Sequence, residues 1–221
     1  MKNLSIAVVT SFMFVQCTAQ SGDQGLKEVK ESLDKGASVS SVLTNKAWLG
    51  MHPGREFRKL IRDNADTLPV DISPDGEPGT RIRATVTLLD NKSQPVSNAL
   101  VYFYQTDAKG WYAANSPHVG GSDGDVGQAR LFGYARTNNS GQITILTVKP
   151  AGYPQSDLPA HIHIHFDKPG GGSHVTELLF DDDPRLIGNI REQSIRYGFH
   201  IGKPGPGTEG AEQQFSYIIR L

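Results

Sequence analysis

Residues 81 to 88 read RIRATVTL, and this stretch decides the fold class. Every second residue from Ile82 to Leu88 is apolar, which is the period-two pattern of a strand with one buried face. Further strands are predicted at Ala99–Gln105, Ala129–Thr137, Gln142–Val148, Pro159–Phe166 and Val175–Phe180. Turn-forming Gly, Pro, Asn and Asp residues separate them, which is typical of an antiparallel β-sandwich or barrel. We take the sandwich, and predict a mainly β chain with a short helical N-terminal extension.

Composition narrows the class of protein further. The chain has 221 residues, which suits one domain with an appendage, and its 22 Lys plus Arg against 23 Asp plus Glu give a net charge of −1. That balance argues against a nucleic-acid binder that works by neutralising phosphates, so no nucleic-acid partner is expected. A single cysteine excludes a disulfide framework or a cysteine-rich metal site within one chain.

The first residues have the features of an export signal. Lys2 precedes an apolar run from Leu4 to Val15, which is too short for a membrane span of roughly 20 residues. We predict a signal peptide over residues 1–19. Cys17 either lies within a cleavage site or is the lipidated residue of a bacterial lipoprotein, and the second interpretation is preferred. The protein is therefore expected in the periplasm, at the outer membrane as a lipoprotein, or secreted.

Residues 20–79 are predicted to form a polar, partly helical extension and linker. Apolar residues at helical spacing indicate short helices at Leu26–Leu33 and Glu56–Ala65, and Asp71–Gly79 has the composition of a turn-rich link. The extension is also a candidate contact between copies in a homo-oligomer. Residues 80–221 are then expected to form the β-sandwich domain.

The strongest chemical feature is PAHIHIHF at residues 159–166. Alternate residues of a strand share a face, so His161, His163 and His165 are expected to point one way. Neutral imidazole is a common metal ligand, and two ligands at this spacing can meet at one ion. Tyr112 and Tyr153 lie near the ends of predicted strands, where a phenol is either a packing residue with a wet hydroxyl or an oxygen ligand that favours Fe(III).

These motifs follow an order that is known from one family. In chain order they are VYFYQTDAKGWY at 101–112, FGYART at 132–137, TVKP at 147–150, GYP at 152–154 and PAHIH at 159–163. The set resembles the intradiol ring-cleavage dioxygenases of the catechol and protocatechuate type, over roughly residues 81–184. The resemblance implies a non-haem Fe(III) enzyme that uses O₂ to cleave a catechol-type ring between its two hydroxylated carbons, giving a muconate-type product.

The resemblance also implies roles for individual residues. Iron would be bound by Tyr112, Tyr153, His161 and His163, and Tyr153 would be the ligand that an incoming catechol displaces, which makes the two tyrosines the catalytic pair. The substrate pocket would include Trp111, Tyr134, Leu158 and Glu177.

Two positions depart from the family pattern. Leu158 stands where the family usually has an arginine before Pro-Ala-His, and Glu177 replaces a glutamine. Both changes disfavour a dianionic catecholate, unless Arg130 or Arg136 supplies positive charge. Two alternatives therefore stay open: a metal-binding relative with altered or lost turnover, and an exported prealbumin-like β-sandwich module that binds without catalysis.

Overall fold

The computed structural model describes residues 17–113, 127, 129–167, 171–208 and 210–221. Residues 1–16 of the signal peptide predicted over residues 1–19 lie outside the described residues. The helices are α1 (Cys17–Asp34), α2 (Val39–Leu43), a 3₁₀ helix (Lys46–Met51), α3 (Arg55–Asp63) and α4 (Gly188–Arg196). Within the described part of the chain, no helix has the length and apolar character needed to span a membrane.

The strands form two five-stranded sheets. Their bounds are β1 Val70–Asp71, β2 Arg81–Leu89, β3 Leu100–Gln105, β4 Leu131–Arg136, β5 Gln142–Val148, β6 His161–Asp167, β7 Ser173–Phe180, β8 His200–Gly202, β9 Gly205–Pro206 and β10 Gln213–Arg220. The first sheet has the order β1-β5-β2-β10-β9, and the second has the order β4-β3-β6-β7-β8.

One hydrophobic core joins the two sheets. The alternating apolar residues of β2 are all fully buried, as the period-two pattern predicts, and so are Ile162 and Ile164 of β6. Phe180 of the second sheet meets Phe215 of the first edge-to-face, with 4.9 Å between ring centroids. The predicted mainly β sandwich is therefore confirmed.

Pairing within the sandwich is mixed rather than wholly antiparallel. β10 runs parallel to β2 over eight residue pairs, and β1–β5 and β7–β8 are also parallel. The pattern of apolar residues shows which face of a strand is buried, but it does not show which strand lies beside it.

The N-terminal extension packs onto the same core. Val42 of α2, Phe57 and Ile61 of α3 and Ile72 after β1 are fully buried in the cluster that contains the strands. The two predicted helices lie within α1 and α3, while α2, the 3₁₀ helix and α4 were not predicted. Residues 20–79 thus share the hydrophobic core of the sandwich.

Candidate metal centre

Strand β6 places its three histidines on the face of the second sheet that is turned away from the core. Ile162 and Ile164 fill the core, so the residues between and beside them point outward. The register sets His163 between Tyr104 of β3 and Glu177 of β7. The Tyr104 ring stacks on the His163 imidazole at 4.5 Å and 14°, which fixes the plane of that imidazole.

A tight turn after β3 positions Tyr112. Asp107 Oδ1 accepts hydrogen bonds from the backbone N–H groups of Lys109 (2.8 Å) and Trp111 (3.1 Å). The same carboxylate accepts from the Arg130 guanidinium through Oδ2 at 3.1 Å. The turn is therefore held from both sides, and it carries the Tyr112 side chain into a fully buried position.

Tyr153 lies on the loop between β5 and β6. Arg185 Nη1 donates to the carbonyl oxygens of Tyr153 and Leu158, both at 3.2 Å, and so closes this loop. Asp183 Oδ2 accepts from the backbone N–H of Ala160 at 2.7 Å, just before β6 begins. The segment that follows β7 therefore sets the path of the loop that carries Tyr153.

Four donor atoms converge where the two loops meet β6. Tyr112 Oη lies 2.6 Å from Tyr153 Oη and 3.0 Å from His163 Nε2. Tyr153 Oη lies 3.1 Å from His161 Nε2 and 3.4 Å from His163 Nε2, and the two Nε2 atoms are 3.1 Å apart. Each atom is within hydrogen-bond distance of at least two others, so they form one compact group.

This group fits a metal ion. Protein ligands about 2 Å from one ion stand about 3 Å from each other, which is the separation seen among the four atoms. The Pro159 carbonyl accepts a hydrogen bond from His161 Nδ1 at 2.8 Å, so the lone pair of that ring lies on Nε2, inside the group. Two phenol oxygens and two imidazoles form a set of hard and intermediate donors, which suits ferric iron better than soft metals.

A cavity of about 490 Å³ opens beside the group, within the size range of small-molecule sites. Tyr153 and His161 line it from the metal side. Its other lining residues are Ser156, Asp157, Leu158, Pro159, Glu177, Leu179, Ile190, Gln193, Ser194, Tyr197 and Phe199. Of the four residues predicted for a substrate pocket, Leu158 and Glu177 line this cavity.

Glu177 lies close to the donor group without joining it. Its Oε1 is 3.8 Å from His163 Nδ1, beyond hydrogen-bond distance. Burial raises the pKa of the Glu177 carboxyl, and the positive charge that His161 can carry acts against that rise. His161, His163 and Glu177 together also have the spacing of a three-residue metal group.

The other two predicted pocket residues lie elsewhere. Tyr134 lines a separate cavity of about 640 Å³ with Arg58 and Arg62 of α3. Trp111 is not among the described residues that line the cavity beside the donor group. The register places Tyr134 opposite Tyr102, three residue pairs before β3 ends at Gln105 and the turn to Tyr112 begins, which explains the separation.

Neither of the predicted substitute arginines is available to the cavity. Arg130 forms an ion pair with Glu77, with Nη1 2.7 Å from Oε2, as well as with Asp107. Arg136 Nη1 donates to the carbonyl of Asn98, in the turn before β3.

His165, the third histidine of β6, is not part of the donor group. Its buried Nε2 has no hydrogen-bond partner among the described residues.

Several cavity residues were not found from the sequence. Ile190, Gln193 and Ser194 come from α4, and Tyr197 and Phe199 follow that helix. The sequence of α4 has no clean apolar stripe, and its only buried residue is a serine. Helical periodicity, the usual signal, was therefore absent.

The sequence matches known dioxygenases. The sequence profile of a family described as Dioxygenase matches residues 56–204, more than half of the chain. The chain is 36% identical over 119 residues to the protocatechuate 3,4-dioxygenase beta chain of Burkholderia cepacia, covering 50% of this chain and 49% of that protein. It is 27% identical over 149 residues to chlorocatechol 1,2-dioxygenase of Rhodococcus opacus, covering 60% and 54%. The chain spans about half the length of the curated relatives it matches.

Solved structures agree on the fold. The 3-chlorocatechol 1,2-dioxygenase of Rhodococcus opacus 1CP superposes with a TM-score of 0.54 at 18% identity, covering 92% of each chain. The dioxygenase domain of a carbohydrate-binding fusion protein from Streptomyces sp. SirexAA-E gives 0.52 at 19% identity, covering 71% of this chain and 88% of that one. At these identities the likeness shows the fold alone.

Proposed function

The chain belongs to the intradiol ring-cleavage dioxygenase family, and from that premise we propose that it is an Fe(III)-dependent enzyme that cleaves catechol-type rings with O₂. The product is a muconate-type diacid, in which both oxygen atoms of O₂ are incorporated. One observation carries the proposal: two phenol oxygens and two imidazole nitrogens lie 2.6–3.4 Å apart at the edge of a cavity large enough for a substituted catechol.

The four protein ligands are Tyr112, Tyr153, His161 and His163. Bound iron would supply the Lewis acidity that activates the ring of a chelated catechol toward O₂. As phenolates, the two phenols would balance the charge of a ferric ion, and the Pro159 carbonyl orients the His161 ring so that its Nε2 lone pair would be available to that ion.

The two tyrosines have different roles in this proposal. Tyr153 lines the cavity, whereas Tyr112 is fully buried and does not. An incoming catechol would therefore meet Tyr153 Oη first, and this oxygen, as a phenolate, would accept a proton from the substrate hydroxyl. Tyr112 stays in place because the Asp107 turn holds it.

A second candidate is an iron-binding relative with altered turnover. Leu158 occupies the position where the family usually has an arginine, and no Lys or Arg lines the described cavity. The family match gives no support to the third alternative, a prealbumin-like binding module. Export, lipid attachment at Cys17 and self-association remain proposals that rest on the sequence.

The visible spectrum of the iron-loaded full chain tests the site. We expect a reddish phenolate-to-iron charge-transfer band, weakened in Tyr112→Phe and in Tyr153→Phe and absent in the double variant. Tyr134→Phe is the matched control, because Tyr134 lies on the separate cavity, and it should keep the band.

Adding catechol without oxygen separates the two candidates. A red shift of the band, followed by oxygen uptake in air, supports the dioxygenase. A shift without oxygen uptake supports the relative with altered turnover. The proposal of an iron site is wrong if the chain binds no iron or if the band survives in the double tyrosine variant.

A further inference from the structure

The cavity beside the donor group has two carboxyl groups, Asp157 and Glu177, and no lysine or arginine among its described lining. His161 also lines it, as one of the four proposed metal ligands. The remaining lining residues are apolar or neutral, with Leu158, Leu179 and Ile190 among them. A substrate substituent that enters this space therefore meets carboxyl oxygens and hydrocarbon.

The two acids come from different sides of the cavity. Glu177 extends from β7, next to His163. Asp157 lies on the loop that carries Tyr153, and its exposed side chain makes no hydrogen bond or ion pair with the described residues. Asp157 is thus free to pair with a charged group at the cavity mouth.

Arg185, in the segment that follows β7, holds this loop closed. Arg185 Nη1 is engaged by the carbonyl oxygens of Tyr153 and Leu158, and Arg185 does not line the cavity. A carboxylate on the substrate would therefore lose water without gaining a cationic partner, which costs free energy.

Aromatic side chains add to the preference for positive charge. Tyr197 and Phe199 line the cavity next to each other, with ring centroids 5.9 Å apart. Aromatic faces attract ammonium groups that approach within about 6 Å of the ring centre.

We propose that this cavity selects catechols that carry a protonated amine over catechols that carry a carboxylate, with Asp157 and Glu177 as the selecting residues. This inference rests on the proposed function, since the catechol itself must first bind at the iron site. It concerns the ring substituent, and it names aminoalkyl catechols as the preferred substrate class.

Three catechols of similar size test the inference. They are 4-(2-aminoethyl)catechol, 4-ethylcatechol and 3,4-dihydroxyphenylacetate, whose substituents are cationic, neutral and anionic. Each is titrated without oxygen into the iron-loaded full chain, and the dissociation constant is read from the charge-transfer band. Oxygen uptake then gives kcat/KM for each.

We expect the amine to bind about two- to fivefold more tightly than the acetate, with 4-ethylcatechol between them, which is the range for one partly exposed ion pair. Added salt should reduce this ratio, because it screens an exposed carboxylate.

Substitutions of Asp157 and Glu177 test whether these two acids cause the preference for the amine. Asp157→Asn should reduce the ratio by about twofold or more, and Asp157→Asn combined with Glu177→Gln should remove it. Asp23→Asn is the matched control, because it changes the net charge equally and does not line the cavity. It should leave the ratio unchanged.

The outcomes distinguish the two proposals. If none of the three compounds changes the band or is consumed, the proposed function fails and the inference fails with it. If 4-ethylcatechol binds but the amine is no tighter than the acetate, the inference is wrong and the proposed function stands. A preference that survives in the double variant with its iron band intact also overturns the inference.

Discussion

At the scale of single residues, two glycines let the tyrosine loops meet. Gly110 has φ +82°, and a Cβ there would lie 2.4 Å from the carbonyl oxygen of Gly152. A Cβ on Gly152 would lie 2.2 Å from Arg185 Nη1. A larger side chain at Gly110 would push the two tyrosine loops apart, and one at Gly152 would displace Arg185 and the Leu158 carbonyl, which close the Tyr153 loop. The short distance between Tyr112 Oη and Tyr153 Oη therefore depends on the space at both glycines.

His52 should make the stability of the fold depend on pH. Its ring lies buried against Phe57, and its Nδ1–H donates to the Arg130 carbonyl at 2.6 Å, while Nε2 has no partner among the described residues. Burial, with the charges of Arg58 and Arg130, lowers the pKa of His52 to about 4. The unfolded chain binds this proton below about pH 6.5 and the folded chain only below about pH 4.

The contribution of neutral His52 to the free energy of unfolding is therefore full above about pH 6.5. It is lost as the pH falls to about 4, which lowers the free energy of unfolding by about 3 kcal/mol in total. Urea unfolding of the wild type and of His52→Gln, from pH 7 to pH 4, measures this. The gap in free energy of unfolding between the two should narrow with falling pH, and a constant gap would contradict the prediction.

The sequence pattern predicted which histidines share one face of β6, but it did not predict most of the residues that line the cavity. Alternation in PAHIHIHF was enough to place His161 and His163 together, because a strand has only two faces. Tyr134 could not be placed by the same reasoning, since it shares the outer face of the sheet but lies three residue pairs from the end of β3, where the turn to Tyr112 begins. Distance along a sheet depends on strand register, which local sequence leaves open.

At the scale of elements, α4 forms one wall of the cavity and begins without a side-chain cap. Ile187 occupies the N-cap position with extended backbone angles (φ −127°, ψ 163°), and its side chain is 68% exposed. An isoleucine cannot accept a hydrogen bond from the first N–H groups of the helix, so these lack a capping side chain.

Ile187→Ser should therefore stabilise the protein by about 1 kcal/mol, since a serine oxygen at this position accepts from the helix N–H groups. Thermal unfolding of the wild type, Ile187→Ser and Ile187→Ala measures the gain. Alanine removes the same exposed side chain without adding an acceptor, so an equal shift for both variants would show that capping is not the cause.

Some elements with strong periodicity were predicted to within a few residues, but β10 and α4 were missed. β2 was predicted as Arg81–Leu88 and ends at Leu89, and β5 was predicted with its observed bounds. β10 has the same alternation of buried and exposed residues, but the prediction assigned no strand after Phe180. α4 lacked an apolar stripe, so its contribution to the cavity became visible only in three dimensions.

At the scale of the whole molecule, Tyr217 connects the two sheets behind the donor group. It extends from β10 of the first sheet, and its Oη donates to the Leu179 carbonyl of β7 at 3.2 Å. Leu179 is paired with His161 in the register of the second sheet. Burial raises the pKa of the Tyr217 phenol, so the donor is kept even in alkaline solution.

Tyr217→Phe should lower the free energy of unfolding by about 1 kcal/mol, the usual value for one buried hydrogen bond. The iron charge-transfer band should be unchanged, because all four proposed ligands remain. Chemical unfolding and the visible spectrum check both parts. Tyr197→Phe is the comparison for stability, since that side chain is 71% exposed and should change it by less than about 0.5 kcal/mol.

The parallel pairing of β10 with β2 has a consequence for the order in which the fold can be completed. β10 lies between β2 and β9, yet residues 213–220 are synthesised long after residues 81–89. Until they emerge from the ribosome, β2 of the nascent chain has one unpaired edge and the first sheet lacks β10. The sandwich is therefore completed after translation of its central strands, and β10 is the segment whose arrival completes it.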